Sequence, residues 1–179
     1  MKKLIYVFLA MLCFVTVIGC EATNGYVSKV PSSSSDGTGT TSGNVLYNGS
    51  GNIPFFDNSP YGYNAICSIL PSTYKAVVGD VLTITITGSS NTALDGLSVA
   101  LIDNGPNTAG AGSYGWVELS TYYTILGSYS NSFSKTVKLT VTANSTAAGA
   151  DYNKIVLSCG TGTASAPTLT ISTFKIVLD

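Results

Sequence analysis

No histidine and no arginine occur among the 179 residues, and charged side chains make up only 9% of them. Without imidazole there is no Ser-His-Asp or Cys-His hydrolase and no His-ligated zinc; without guanidinium there is no arginine clamp on a transferring phosphoryl group. General acid–base chemistry is left with carboxylates, lysine and tyrosine. Basic patches are missing as well. Beyond Lys2 and Lys3, six lysines stand against nine acids, a net charge of −3, so nucleic acid is not an expected partner. What the chain has in quantity is hydroxyl. Serine and threonine account for 45 residues, so solubility rests on them, with Asn and Gly, rather than on ions.

The N-terminus carries Lys2 and Lys3, an apolar run from Leu4 to Ile18, and then Gly19-Cys20. This is the three-part form of a secretory signal, and the run is short of the roughly 20 residues that a membrane span needs. Val17-Ile18-Gly19-Cys20 resembles the lipobox of bacterial lipoproteins. That resemblance implies cleavage after residue 19 and lipidation of Cys20. Two or three acyl chains hold a protein stably where one does not, so the expected location is the bacterial cell envelope, lipid-anchored. Glu21, rather than Asp, follows the cysteine and favours the outer membrane or cell surface.

Residues 20–43 form the lipidated cysteine and a tether rich in Ser, Gly and Thr, including Ser32 to Ser35 and Gly37 to Gly43. Such a stretch buries too little apolar surface to offset its ordering entropy. As a Gly/Ser-type coil of 23 residues it spans about 25 Å root-mean-square. From Asn44 to Asp179 the pattern changes to strict alternation, with no helical periodicity over 12 residues. In Val81 to Thr87, Leu82, Ile84 and Ile86 share one face and the threonines the other. Similar runs end in turn signals at Leu97-Val99-Leu101, Val117-Leu119, Val137-Leu139-Val141 and Ile155-Leu157. Toward the end, the apolar set Leu169, Ile171 changes phase to Phe174, Ile176, Leu178, which predicts a bulge near Ser172 and Thr173. Seven or eight strands in one domain predict an all-β fold, a two-sheet antiparallel sandwich.

Cys67 and Cys159 remain after Cys13 is removed and Cys20 lipidated. In an exported protein they are expected to pair, closing a loop of about 90 residues for about 4 kcal/mol. Two separate buried thiols are the alternative.

Several pieces of the domain resemble the jelly-roll carbohydrate-binding modules, a galactose-binding-like β-sandwich. Asn44 to Ser50 is similar to the family's Asn-Gly opening, Gly79 to Ile84 to an early strand, Phe133 to Val141 to a segment that usually starts with Trp, and Leu169 to Leu178 to the closing strand. The pieces cover nearly all of residues 44–179. The resemblance implies a jelly-roll fold, a glycan ligand and no catalysis. Such folds often hold a structural calcium with an acid near the end; Ser172 and Thr173 replace that acid, and no cofactor is expected.

Around the sole tryptophan, alternation places Trp116, Glu118, Ser120 and Tyr122 on the face opposite Val117 and Leu119. Indole, phenol and carboxylate on one strip suit a sugar ring and its hydroxyls. Tyr114, Tyr61 and Tyr63 are candidates for the rim. The plainer alternative is that Trp116 fills a gap under the loop from Gly105 to Gly115 and that Tyr61 and Tyr63 staple their own loop. The acids Asp57, Asp95, Asp103, Glu118 and Asp151 are scattered and sit mainly in turns, so an enzyme is not expected. Two functions stay open: a glycan-binding surface module, or a structural or adhesion lipoprotein that contacts another protein through its uncharged Ser, Thr and Tyr surface.

Overall fold

Threonines outside and branched aliphatics inside build the central strand. In β4 (Val81–Leu94) Leu82, Ile84 and Ile86 are fully buried, while Thr83, Thr85 and Thr87 face out. The outer hydroxyls pair across to the next strand, β8 (Ser130–Thr140): Thr85 lies 2.9 Å from Thr136 and Thr87 lies 3.0 Å from Ser134. Burying each such Leu or Ile contributes about 1.5–3 kcal/mol, so the face that the alternation selects is strongly specified.

The structure, a computed structural model, describes residues 43–105 and 115–179. Among them there is no helix. The remaining strands are β1 (Asn44–Pro54), β2 (Phe56–Asp57), β3 (Tyr63–Cys67), β5 (Leu97–Asp103), β6 (Val117–Glu118), β7 (Tyr123–Leu126), β9 (Asn153–Cys159) and β10 (Thr168–Leu178). One sheet has the order β1-β10-β4-β8 and the other β2-β3-β9-β5-β6, with β7 also on β5; every pairing is antiparallel. With β2 and β3 taken as one strand, and β6 and β7 as another, the sheets follow the double Greek key of a jelly roll. The two-sheet antiparallel sandwich expected from alternation is the fold observed.

The core lies between the sheets, with Leu82, Ile84, Leu101, Leu139, Ile155, Leu157, Phe174 and Ile176 at its centre. The phase change in the last strand is a register shift between Ile171 and Thr173, opposite Gly88 and Thr87, and the Ser172 hydroxyl donates to the Thr87 carbonyl at 3.1 Å. Strand β5 departs from simple alternation. Ala100 and Ile102, on its outward face, are as buried as Leu101, and with Val156 they form a second small apolar cluster outside the main core.

The expected Cys67–Cys159 disulfide is not formed: Cys159 is a buried free thiol. Adjacent strands β3 and β9 carry the two residues, but Cys67 lies opposite Ile155 and Cys159 opposite Tyr63. Four residues of strand separate them, about 13 Å at 3.3 Å per residue, well beyond the about 7 Å that a disulfide spans. Burial pushes the Cys159 thiol above its ordinary pKa, partly offset by the Thr163 hydroxyl and the Tyr63 backbone.

The strand directions give the sandwich two distinct ends. Asn44, Val81, Asp103, Asn153 and Leu178 lie at the end where β1 begins, the entry end; Leu94, Leu97, Cys159 and Thr168 lie at the far end. Loops at the entry end are held by two buried polar side chains. Asn153 accepts from the Ala76 amide at 3.1 Å and donates to the carbonyls of Tyr74, Ala147 and Gly149. Asp103 receives Ser145, the amide and hydroxyl of Thr146, and the Gly105 amide.

Candidate functional site

A row of polar side chains crosses the outward face of the second sheet. The register places Phe56 opposite Asn64, Asn64 opposite Ser158, Ser158 opposite Ser98, and Ser98 opposite Thr124. The four strands that carry the polar members, at about 4.8 Å spacing, make the row about 14 Å long, with Phe56 at its edge. Beside it runs the apolar row Ile66, Val156 and Ala100. At the far end the polar row opens into a cleft of about 450 Å³, lined among others by Tyr61, Asp95, Ser98, Thr124, Ser158 and Gly160.

Tyr61 stands at the rim, 78% exposed. Its turn is closed by local hydrogen bonds: Asn58 N to Gly62 O at 2.8 Å, Tyr61 N to Asn58 O at 2.9 Å, and the Ser59 amide and hydroxyl to the Asp57 carboxylate at 2.8 and 2.7 Å. Gly62, at φ +98°, brings this turn onto β9, where a Cβ would collide with the Cys159 carbonyl. Only glycine meets both conditions without strain. The phenol is therefore carried to the cleft by a turn packed directly on the strand that supplies Ser158.

Asp95 forms the other wall. Its backbone carbonyl accepts from Gly160 N at 2.8 Å, its amide donates to the Thr163 hydroxyl at 2.9 Å, and its carboxylate accepts from Gly162 N at 3.0 Å. The Asp95-Gly96 pair is the turn that the sequence predicts, and it also aims a carboxylate at the cleft. Tyr122 reaches the row from the opposite side. Burial raises its phenol above the ordinary pKa, the Glu118 charge adds to the shift, and the Ser158 hydroxyl partly offsets it. Tyr61 and Ser158 thus line the cleft together and the Tyr122 phenol meets the Ser158 hydroxyl, with the Ser98 and Thr124 hydroxyls and the Asp95 carboxylate along the cleft. Such an arrangement can hold a flat apolar face while hydrogen-bonding the groups around its edge.

The strip expected around Trp116 is divided. Val117, expected in the core, is 50% exposed, and Ser120, expected outside, is buried. The physical reason is that β6 spans only two residues, Val117 and Glu118, paired with Asp103 and Ile102. Beyond it the chain leaves strand geometry: the Ser120 hydroxyl takes the Leu101 amide at 2.9 Å and donates to the Thr121 carbonyl at 3.0 Å. Trp116 is 42% exposed, at the entry end. Glu118 lies opposite Ile102, four residues along β5 from Ser98, about 13 Å from the polar row. Tyr63 lies opposite Cys159, half-buried against the main core and away from the rim. Tyr114 and Cys20 fall outside the described residues.

Of the candidates, Tyr61 lines the cleft, the Tyr122 phenol lies against Ser158, and Trp116 lies at the other end of the sandwich. Asn64, Asp95, Ser98, Thr124 and Ser158 were not among the sequence candidates. Each is an ordinary strand or turn residue by type, and only register between distant segments aligns them. Neither a protein-family model nor a curated protein matches the sequence. Among solved structures the chain is similar to the N-terminal cellulose-binding domain of the β-1,4-glucanase C of Cellulomonas fimi, at 18% identity and a TM-score of 0.34, over 72% of this chain and 88% of that one, an overlap too loose to carry a function across.

Proposed function

We propose that this protein is a non-catalytic, glycan-binding lipoprotein of the bacterial envelope, anchored through Cys20 and displayed on the outer membrane or cell surface. The observation that carries the binding reading is the cleft lined by Tyr61, Asp95, Ser98, Thr124 and Ser158, with the Tyr122 phenol beside Ser158. Sugar rings present apolar faces edged by hydroxyls. Phenol faces and closely spaced hydroxyl, amide and carboxylate groups complement both. Anchoring is supported by the lipobox and the tether that follows it.

Screening the chain with Cys20 replaced by Ser on a glycan array, followed by calorimetric titration, tests the reading. Tyr61→Ala and Tyr122→Ala are each expected to weaken binding about tenfold, the equivalent of about 1.4 kcal/mol per aromatic contact. Silence across the array, together with a stoichiometric protein captured from envelopes and retained in free sugar, would replace the glycan with a protein partner.

A further inference from the structure

We propose that the entry end of the sandwich rests on the lipid bilayer through an apolar tip made by Val77, Val78, Trp116 and Val117, with Val45 beside it. This contact depends on the lipidation at Cys20 proposed above.

Exposed large hydrophobic side chains divide by end. Among the described residues, Val45, Val77, Val78, Trp116 and Val117 lie at the entry end, each between 42% and 55% exposed. Phe56, Tyr61, Tyr122 and Tyr129 lie toward the far end, around the groove and the turn before β8. The large apolar side chains exposed at the entry end are therefore hydrocarbon and indole; those toward the far end are chiefly phenols. Aliphatic side chains have no hydrogen-bonding use in water, whereas tryptophan concentrates at the boundary between lipid headgroups and acyl chains.

Hydrogen bonds tie the loops that carry Val78 and Val117 to one shared segment, residues 142–144. Val78 N donates to the Asn144 side chain at 2.9 Å; the preceding residues Thr142 and Ala143 donate to the Leu119 carbonyl at 2.7 and 3.4 Å, two residues from Val117. Gly79 has open space where a side chain would stand, while its amide ties the loop to the Val141 carbonyl at 3.0 Å. Asp80, the acid of this loop, is turned inward: its carboxylate takes the Tyr74 hydroxyl at 3.3 Å and the Val77 amide at 3.1 Å. It opposes no lipid phosphate.

Tether length selects a bilayer as the occupant. Asn44, where the tether joins β1, lies at this same end opposite Leu178. Twenty-three residues separate it from Cys20; a Gly/Ser-type coil of that length would span about 25 Å. The tip is thus held within about one domain radius of the membrane, and at such effective concentrations a small apolar contact is enough. Shallow insertion of these side chains into the headgroup boundary would turn the groove at the far end away from the membrane.

Trp116 is the sole tryptophan, so its fluorescence reports this site alone. The full lipidated chain is reconstituted in vesicles of phosphatidylethanolamine and phosphatidylglycerol, with and without brominated acyl chains. The expected result is a blue-shifted emission relative to Cys20→Ala in solution and roughly twofold quenching by the brominated lipid, as for a side chain at the acyl boundary. The Val77→Ser, Val78→Ser double variant, whose changes lie outside the core, is expected to lose most of that quenching. A chain that floats with vesicles while Trp116 stays unquenched overturns the contact and leaves the anchor standing, as does equal quenching in the double variant. Trp116 shielded from aqueous iodide in native envelopes, but untouched by brominated lipid, assigns the tip to a protein and overturns the contact too. A wild-type chain that carries no fatty acid by mass spectrometry removes the anchor, and the contact with it.

Discussion

Burial alone would push the Asp103 carboxyl above the ordinary aspartate pKa of 3.8, yet the hydrogen bonds from Thr146, Gly105 and Ser145 outweigh it and hold the group below that value. The sign of the linkage follows. Between 3.8 and the lower folded value the unfolded chain binds a proton that the folded chain does not, so this contribution is complete above 3.8 and is lost as pH falls through the folded pKa. Asp103→Asn turns an amide NH2 toward the Thr146 amide and hydroxyl. It is expected to cost about 1–3 kcal/mol at neutral pH and to flatten the acid limb of stability. Urea unfolding of both proteins from about pH 7 down to about pH 2 measures both effects; an unchanged acid limb would contradict the assignment. The dipeptide around Asp103 reads as a turn, and the Gly105 amide on its carboxylate at 3.1 Å is that turn. Its second role, pinning Ser145 and Thr146 some forty residues away, leaves no mark in the local sequence.

At the scale of elements, β4 and β10 were legible because hydrophobic burial on one face and hydroxyls on the other leave a period-two trace. The segment from Trp116 to Tyr122 misled because its apparent alternation is too short to specify a strand, and the demand of the Leu101 amide for a partner drew Ser120 inward. Turns carry the groove, so their geometry is open to test. Gly62→Ala places a Cβ against the Cys159 carbonyl at φ +98° and is expected to cost at least about 1–2 kcal/mol, or several degrees in Tm. Because the same turn holds Tyr61 at the rim, titration of the folded variant is expected to show weakened glycan binding as well. Lost stability with unaltered affinity would separate Tyr61 from the site.

Over the whole molecule, one apolar cluster joins both sheets, so the domain is expected to open as a unit. Cys159 lies within that cluster, 4% exposed. Its alkylation by a bulky maleimide is expected to be slow in the native protein and to rise with denaturant along the same slope as global unfolding. Rapid labelling in native buffer would reveal a local path to the thiol through the adjoining cleft.

The sequence by itself determined the exclusions and the class of fold. Missing side chains exclude chemistry outright, and a period of two is imposed on any half-buried strand. Tertiary structure decided that Cys67 and Cys159 do not pair, which face of the second sheet carries a groove, and that Trp116 and Tyr61 lie toward opposite ends. The physical reason is register: Asn64, Ser98, Thr124 and Ser158 meet only because four strands from distant parts of the chain align. That alignment is set by packing summed over the core rather than by anything in the residues it brings together.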